Sequence, residues 1–207
     1  MKVLVINGSP HVHGCTARAL DEVIAALNAE GVETELMQIG SKKLSGCLAC
    51  NYCDKGEGCV QKDIVNEAAE KLMKADGLLV GSPVYYASPN GTLISFLDRL
   101  FYSLEGSLHM KVGAAVVSCR RGGASASFDV LNKYFTISGM PVASSTYWNS
   151  VHGFTAADVE KDLEGLQTVR NIAHNMAFLI RSIAAQKEEK GLPVEEHGSF
   201  TSFPDGK

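Results

Sequence analysis

Apolar residues along this chain alternate between short unbroken runs and stripes at helical spacing. Val3-Leu4-Val5-Ile6 is continuous, the pattern of a strand buried on both faces. Leu20, Val23, Ile24 and Leu27 follow at three-and-four spacing and predict a helix. The alternation then repeats, with strands expected at Glu33–Ile39, Gly77–Gly81 and Val112–Ser118 and a fifth beginning near Pro141. Helical stripes fall between them on Ile64, Ala68 and Leu72, on Leu93, Leu97, Leu100 and Leu104, and in a segment starting after Gly123. The last helix opens at Thr155-Ala156-Ala157-Asp158, a capping-box pattern, and continues through Leu166, Val169, Ala173, Met176 and Ile180. Five βα units predict an α/β domain over residues 1–186, its parallel sheet covered on both faces. From 187 to 207 the chain turns polar and reads as a C-terminal tail.

Composition narrows the partners. The chain has 207 residues, is 45% hydrophobic and carries a net charge of −4, which suits one globular domain with a sizeable core. Mild acidity without a Lys/Arg run argues against nucleic acid or a membrane surface. No apolar stretch reaches membrane-spanning length and no basic-then-apolar leader opens the chain, so a cytoplasmic location is expected.

In open parallel sheets ligands bind beyond the C-terminal strand ends. The loop after the first strand, Asn7-Gly8-Ser9-Pro10-His11-Val12-His13-Gly14-Cys15-Thr16, leads into a helix N-terminus, where free N–H groups and the positive dipole end favour an anion. Ser9 and Thr16 add hydroxyls, and no acidic residue lies between Asn7 and Leu20. The loop lacks the Gly-Lys-Ser/Thr ending of a P-loop and the three-glycine dinucleotide spacing, so a single terminal phosphate suits it best; an ordinary capped turn is the alternative. After the third strand comes Gly81-Ser82-Pro83-Val84-Tyr85-Tyr86-Ala87-Ser88-Pro89-Asn90-Gly91, and after the fourth Ser118-Cys119-Arg120-Arg121-Gly122-Gly123. A phosphate loop, an aromatic loop and a cationic loop around one crevice describe a site for a flat ring on a phosphorylated tether, the shape of FMN. Plain loop packing for the tyrosines and a solvated pair for the arginines are the simpler readings.

Cys47, Cys50, Cys53 and Cys59 form C-x2-C-x2-C-x5-C in the connection after the second strand. The first three repeat the compact spacing of iron–sulfur sites, whereas structural zinc usually takes two C-x2-C knuckles a dozen or more residues apart. Free or disulfide-paired thiols and zinc stay open as alternatives. A secreted disulfide framework does not fit a chain this long, and a reducing compartment suits six cysteines better. Cys119 stands apart, either a thiol near the ring or a small hydrophobe at a strand end.

Together these segments resemble the flavodoxin-like NAD(P)H-dependent FMN reductases, and among them the iron–sulfur flavoprotein branch. Gly8-Ser9-Pro10 with Gly14 and Thr16 is similar to the family's phosphate loop, with Cys15 where Asn is common. Pro83-Val84-Tyr85-Tyr86 with Phe96-Leu97-Asp98-Arg99 is similar to its isoalloxazine loop and following helix, and Gly139-Met140-Pro141-Val142 with Tyr147-Trp148-Asn149 to its fifth-strand region. The resemblance implies a three-layer flavodoxin-like sandwich of five parallel strands in the order 2-1-3-4-5, noncovalent FMN, reduction by NAD(P)H, and a homodimer or homotetramer. It implies that Ser9, Gly14, Cys15 and Thr16 hold the phosphate with His11 beside them. Pro83, Val84, Tyr85 and Tyr86 then run along the ring edge, with backbone N–H groups near N1, O2 and N5, while Cys119, Arg120, Arg121 and Gly122 close the other side. It also implies a [4Fe–4S] cluster on Cys47, Cys50, Cys53 and Cys59, although no Pro follows the last cysteine.

The expected activity is hydride transfer from NAD(P)H to FMN and electron transfer to a second acceptor such as a quinone or free flavin, with no side-chain acid or base. An iron–sulfur flavoprotein carrying electrons between a protein such as ferredoxin and FMN is the first alternative. A nonenzymatic nucleotide-sensing module is the second. A receiver-type module is excluded by chemistry, because Asn7-Gly8-Ser9 and Gly81-Ser82-Pro83 stand where it needs acidic residues for a hard cation.

Overall fold

The computed structural model describes residues 1–196, 198, 199 and 201. In chain order its elements are β1 (Lys2–Asn7), α1 (Cys15–Ala29), β2 (Glu33–Gln38), a 3-10 turn (Tyr52–Lys55), α2 (Ile64–Lys74), β3 (Gly77–Tyr85), β4 (Ser88–Pro89), α3 (Gly91–Ser103), β5 (Val112–Cys119), α4 (Ala124–Ile137), β6 (Ser150–His152), α5 (Ala156–Val159) and α6 (Leu163–Lys190). The main sheet is parallel throughout in the order β2-β1-β3-β5-β6, and β4 pairs antiparallel with the end of β3, off that path. Apart from β4, which the sequence did not announce, this is the flavodoxin-like order.

The unbroken apolar run of β1 has a simple cause. Val3 and Val5 face the layer of α1 and α6, packing with Leu20, Val23, Val169 and Met176. Leu4 and Ile6 face the opposite layer, with Leu72 of α2, Leu93 and Phe96 of α3, and Leu131 and Phe135 of α4. A strand with apolar layers on both faces has no position left for a polar residue. Gly113 in β5 is required for the same packing, since a Cβ there would lie 2.5 Å from the Phe135 ring.

Two expectations are corrected. The fifth strand does not begin near Pro141. Pro141 and Ala143 make one bridge around Gly113, with Gly113 N–H donating to the Pro141 carbonyl and Ala143 N–H to the Gly113 carbonyl, both at 2.9 Å. The chain then leaves the sheet and rejoins it at Ser150–His152, against Val117–Cys119. Buried Asn149 directs the return, its side chain donating to the Ala115 carbonyl at 3.0 Å. A three-residue strand with a single buried side chain, Val151, has no run to read. The last helix, moreover, opens at Leu163 on an Asp162 cap, and the capping box at Thr155 starts the separate, one-turn α5.

Helix α6 continues through Lys190, into the segment read as tail, and stops at Gly191 with φ 82°. Beyond it, Glu195 pairs with His109 Nδ1 at 2.9 Å. Residues 197, 200 and 202–207 of that tail lie outside the described residues.

Candidate functional site

The C-terminal ends of β1, β3 and β5 lie at the same edge of the sheet, where β1 stops at Asn7 in register with Gly81 and Val116 and the two other strands run on past it to Tyr85 and Cys119, so the loops that follow them open onto one cleft. The β1 loop is braced from within and from below. Asn7 Oδ1 accepts from Ser9 N–H at 2.9 Å, and Ser9 Oγ accepts from His11 N–H at 3.1 Å. Gln38, at the end of β2, donates its amide to the Ser9 carbonyl. Gly40 lies so close beneath that a Cβ would stand 2.2 Å from the Ser9 carbonyl carbon. Helix α1 then begins after Gly14 with no side-chain cap and no acidic residue in its first turn. Its N-terminal N–H groups and dipole are therefore offered to a ligand.

The opposite wall is the β3–β4 hairpin. Val84 pairs with Pro89 and Tyr85 with Ser88, which leaves Tyr86 and Ala87 as a two-residue turn, both at positive φ (51° and 57°). That backbone matches the twist of a tight hairpin, although Gly or Asn is the usual occupant. Ser82, fully buried at the base, accepts from Asn90 N–H at 3.0 Å and donates to the Pro83 carbonyl at 2.8 Å. Gly123, capping α4, meets Ala87 closely: a Cβ would be 2.8 Å from its Cα.

The resulting cleft has a volume of about 740 Å³, within the usual range for small-molecule sites. Among the anticipated residues, Ser9, His11, Gly14, Cys15, Thr16, Pro83, Val84, Tyr85, Cys119 and Arg120 line it. Tyr86, Arg121 and Gly122 do not. Tyr86 is fully exposed at the hairpin tip, because a two-residue turn of this kind throws its side chains outward. Thr16 is buried, its hydroxyl hydrogen-bonded to Ser118 Oγ at 2.8 Å. Cys15 turns its thiol to the Gly153 carbonyl at 3.5 Å, and Cys119 to the Arg121 carbonyl at 3.6 Å. Burial holds both thiols above the usual cysteine pKa, so neither supplies a thiolate at neutral pH.

The sequence reading overlooked one wall. Gly153, Phe154, Thr155 and Ala156 line the cleft, and Arg120 lies over the Phe154 ring, 5.7 Å from its centroid. The Thr155 capping box was legible as a helix start. That it borders the cleft depends on β6 rejoining beside β5. The bracing by Gln38 and Gly40 likewise comes from β2 and left no local signal.

The cysteine segment forms a second site. Cys47, Cys50, Cys53 and Cys59 are free thiols around one cavity of about 20 Å³, with Gln61, Arg99 and Tyr102 among its other walls. It shares no lining residue with the cleft. Among the described residues no group of three or more His, Cys, Asp or Glu side chains converges on a single ion position. Cys59 is held on both sides: Asn66 Oδ1 accepts its N–H at 2.8 Å, Asn66 Nδ2 donates to its carbonyl at 3.0 Å, and Arg99 Nε donates to its sulfur at 3.3 Å. Cys47 and Cys50 are exposed.

A parallel sheet in this order, with an uncapped helix N-terminus and a strand-edge hairpin facing each other across a cleft, defines a flavodoxin-like flavin protein. The chain belongs to the NADPH-dependent FMN reductase family, whose model matches residues 1–155. It is accordingly an FMN flavoprotein of the oxidoreductase and electron-carrier class. An iron–sulfur flavoprotein of Methanocaldococcus jannaschii is 33% identical over 191 residues, covering 88% of this chain and 99% of that protein. One from Methanosarcina thermophila is 28% identical over 193 residues, covering 91% and 100%. Among solved structures, RosB with bound 8-demethyl-8-formylriboflavin-5'-phosphate superposes with a TM-score of 0.73 at 16% identity, covering 99% of this chain and 93% of that one. A WrbA-like flavodoxin from Agrobacterium tumefaciens gives 0.62 at 17% identity, covering 87% and 98%; at these identities the likeness concerns the fold. Among the described residues no helix is long and apolar enough to cross a membrane.

Proposed function

We propose that this protein is an FMN oxidoreductase reduced by NADPH or NADH and that its four-cysteine segment holds a [4Fe–4S] cluster. The observation that carries the first part is the cleft itself. The uncapped start of α1, without an acidic residue, binds the terminal phosphate through the N–H groups of Cys15 and Thr16 and the Ser9 hydroxyl, with Gly14, whose N–H closes the loop onto the His11 carbonyl at 3.4 Å, lining the same pocket. Pro83, Val84 and Tyr85 run along the ring edge, where N–H donors stabilise the charge that reduction adds. FMN bound there supplies hydride acceptance and onward transfer of electrons in pairs or singly. Arg120, positioned over Phe154, meets the nucleotide's phosphates at the open side, with Tyr85 and Phe154 keeping water from the ring.

The second part is supported by the donor set: four free thiols around one cavity, in a chain whose relatives are named iron–sulfur flavoproteins. Thiolates on one ion would crowd about 2.3 Å from a common point. Those of a cluster stand further apart around a larger body. A cavity of about 20 Å³ holds roughly one water, so the exposed side of the segment, Cys47 and Cys50, must move outward on loading. Iron analysis after anaerobic reconstitution should find about four irons per chain. An iron-free protein would remove this part alone. A cytoplasmic homodimer or homotetramer completes the reading.

The deciding experiment is anaerobic mixing of the FMN-loaded protein with excess NADPH or NADH. Rapid bleaching of the flavin, and ping-pong kinetics with a quinone or free flavin, are expected. Arg120→Ala should raise the KM for the nucleotide more than it lowers kcat, the mark of lost ground-state binding. If neither nucleotide bleaches the flavin while reduced ferredoxin does, the protein is an electron carrier.

A further inference from the structure

Arg99 in α3 is fully buried and carries the largest fully buried side chain in the described structure. An arginine is hardly ever buried unless paired. A guanidinium has five N–H donors, and here all five are used. Nη1 donates to Asp63 Oδ2 at 2.8 Å and to the Ser45 carbonyl at 3.4 Å. Nη2 donates to Asp63 Oδ1 at 3.0 Å and to the Gln61 carbonyl at 2.9 Å, and Nε donates to Cys59 Sγ at 3.3 Å. Every acceptor lies in the cysteine segment or its immediate flanks. A bolt for the loop needs only the Asp63 fork and the two carbonyls. The Nε bond to sulfur adds something different: a permanent cation, shielded from water, directed at one thiol of the four.

We propose that Arg99 sets the reduction potential of the cysteine centre, donating a hydrogen bond to Cys59 and holding it at a more positive value than the same four thiolates would have alone. The inference rests on the cluster reading above. Reduction adds negative charge to a centre already made negative by four thiolates. A fixed cation and an N–H donor on a ligating sulfur favour the more negative, reduced form. Asp63 opposes this, because its carboxylate offsets part of the guanidinium charge from the far side. Arg99 and Asp63 therefore act on the potential in opposite directions, although both serve the loop's structure in the same direction. That opposition separates an electrostatic role from a merely structural one. Helix α3 also starts directly after the β4 strand of the cleft hairpin, with Arg99 about 12 Å along its axis from Gly91. The two sites therefore share one rigid element.

The test is a spectroelectrochemical titration of the anaerobically reconstituted, FMN-loaded full chain, with iron content measured on each sample. Arg99→Met should lower the midpoint, so that at a fixed potential the reduced-to-oxidised ratio falls about tenfold, or 59 mV for a one-electron couple. Asp63→Asn should raise it, since asparagine keeps an acceptor for Arg99 and for the α2 N-cap while removing the charge. If Arg99→Met does not retain iron, the upward shift in Asp63→Asn decides the matter alone. Iron-loaded variants with unchanged midpoints, or midpoints that move in the same direction, would overturn the role assigned to Arg99 and leave the cluster standing. A wild-type chain that takes up no iron overturns the cluster reading and this inference with it.

Discussion

Single residues of the cleft act mostly through backbone position. Gly40 matters because its missing Cβ lets the chain after β2 lie on the Ser9 carbonyl, where an added Cβ would stand 2.2 Å from the carbonyl carbon. Gly40→Ala should shift the phosphate loop and weaken FMN by at least about tenfold, near 1.4 kcal/mol, while riboflavin binding changes much less. Fluorescence titration with both ligands checks this. Ala87 is the converse case. A non-glycine residue at φ 57° costs on the order of 1–2 kcal/mol, and glycine there would relieve that strain while adding a smaller cost, roughly 0.5–1 kcal/mol, in chain entropy. Ala87→Gly should stabilise the fold slightly in denaturant titration. Unchanged or lower stability would mean that the contact with Gly123 already compensates the turn.

Among the elements, β2 is one edge of the main sheet, and Glu35 ties it to β1 and α2. Its carboxylate bonds Lys2 of β1 at 2.7 Å and Lys71 of α2 at 2.9 Å. Lys2 first and Lys71 second hold the Glu35 carboxyl below the usual carboxylate range. A depressed folded pKa contributes stability above the unfolded value of about 4.3, and that contribution is lost as the pH falls through the lower folded one. Glu35→Gln should therefore flatten the loss of stability below about pH 4.3, measured as the denaturation midpoint against pH, and the two proteins should converge at the acid end. Equal slopes would show the pair to be screened out.

For the whole molecule, the cleft and the cysteine site leave different strands and share no wall, so they should fail separately. On the proposed cluster, Cys53→Ala should take up no iron on anaerobic reconstitution and keep FMN. Because FMN binds the folded chain alone, a hundredfold excess over Kd should add about 2.7 kcal/mol, raising Tm by roughly 5–10 °C for a domain of this size. Riboflavin, lacking the phosphate, should give a clearly smaller shift. Equal shifts would place the phosphate away from α1.

What the sequence by itself determined lies where the signal is local. The β1 run, the helical stripes, the acid-free loop from Asn7 to Leu20 and the cysteine spacing each depend on neighbours in the chain, and βα alternation predicted a parallel sheet covered on both faces, while its strand order was implied by the family resemblance. What only the tertiary structure decided depends on pairing between distant segments. Ser150–His152 is a strand because Val117–Cys119 lies beside it, and that register brings Phe154 and Thr155 to the cleft. Tyr85 and Tyr86 are adjacent in the chain, yet the hairpin turns one into the cleft and the other into solvent. Arg99 reads as an ordinary charged position on a helix. It is buried because acceptors from Ser45 to Asp63 close around its five donors, a match that exists only once the cysteine segment has folded over α3.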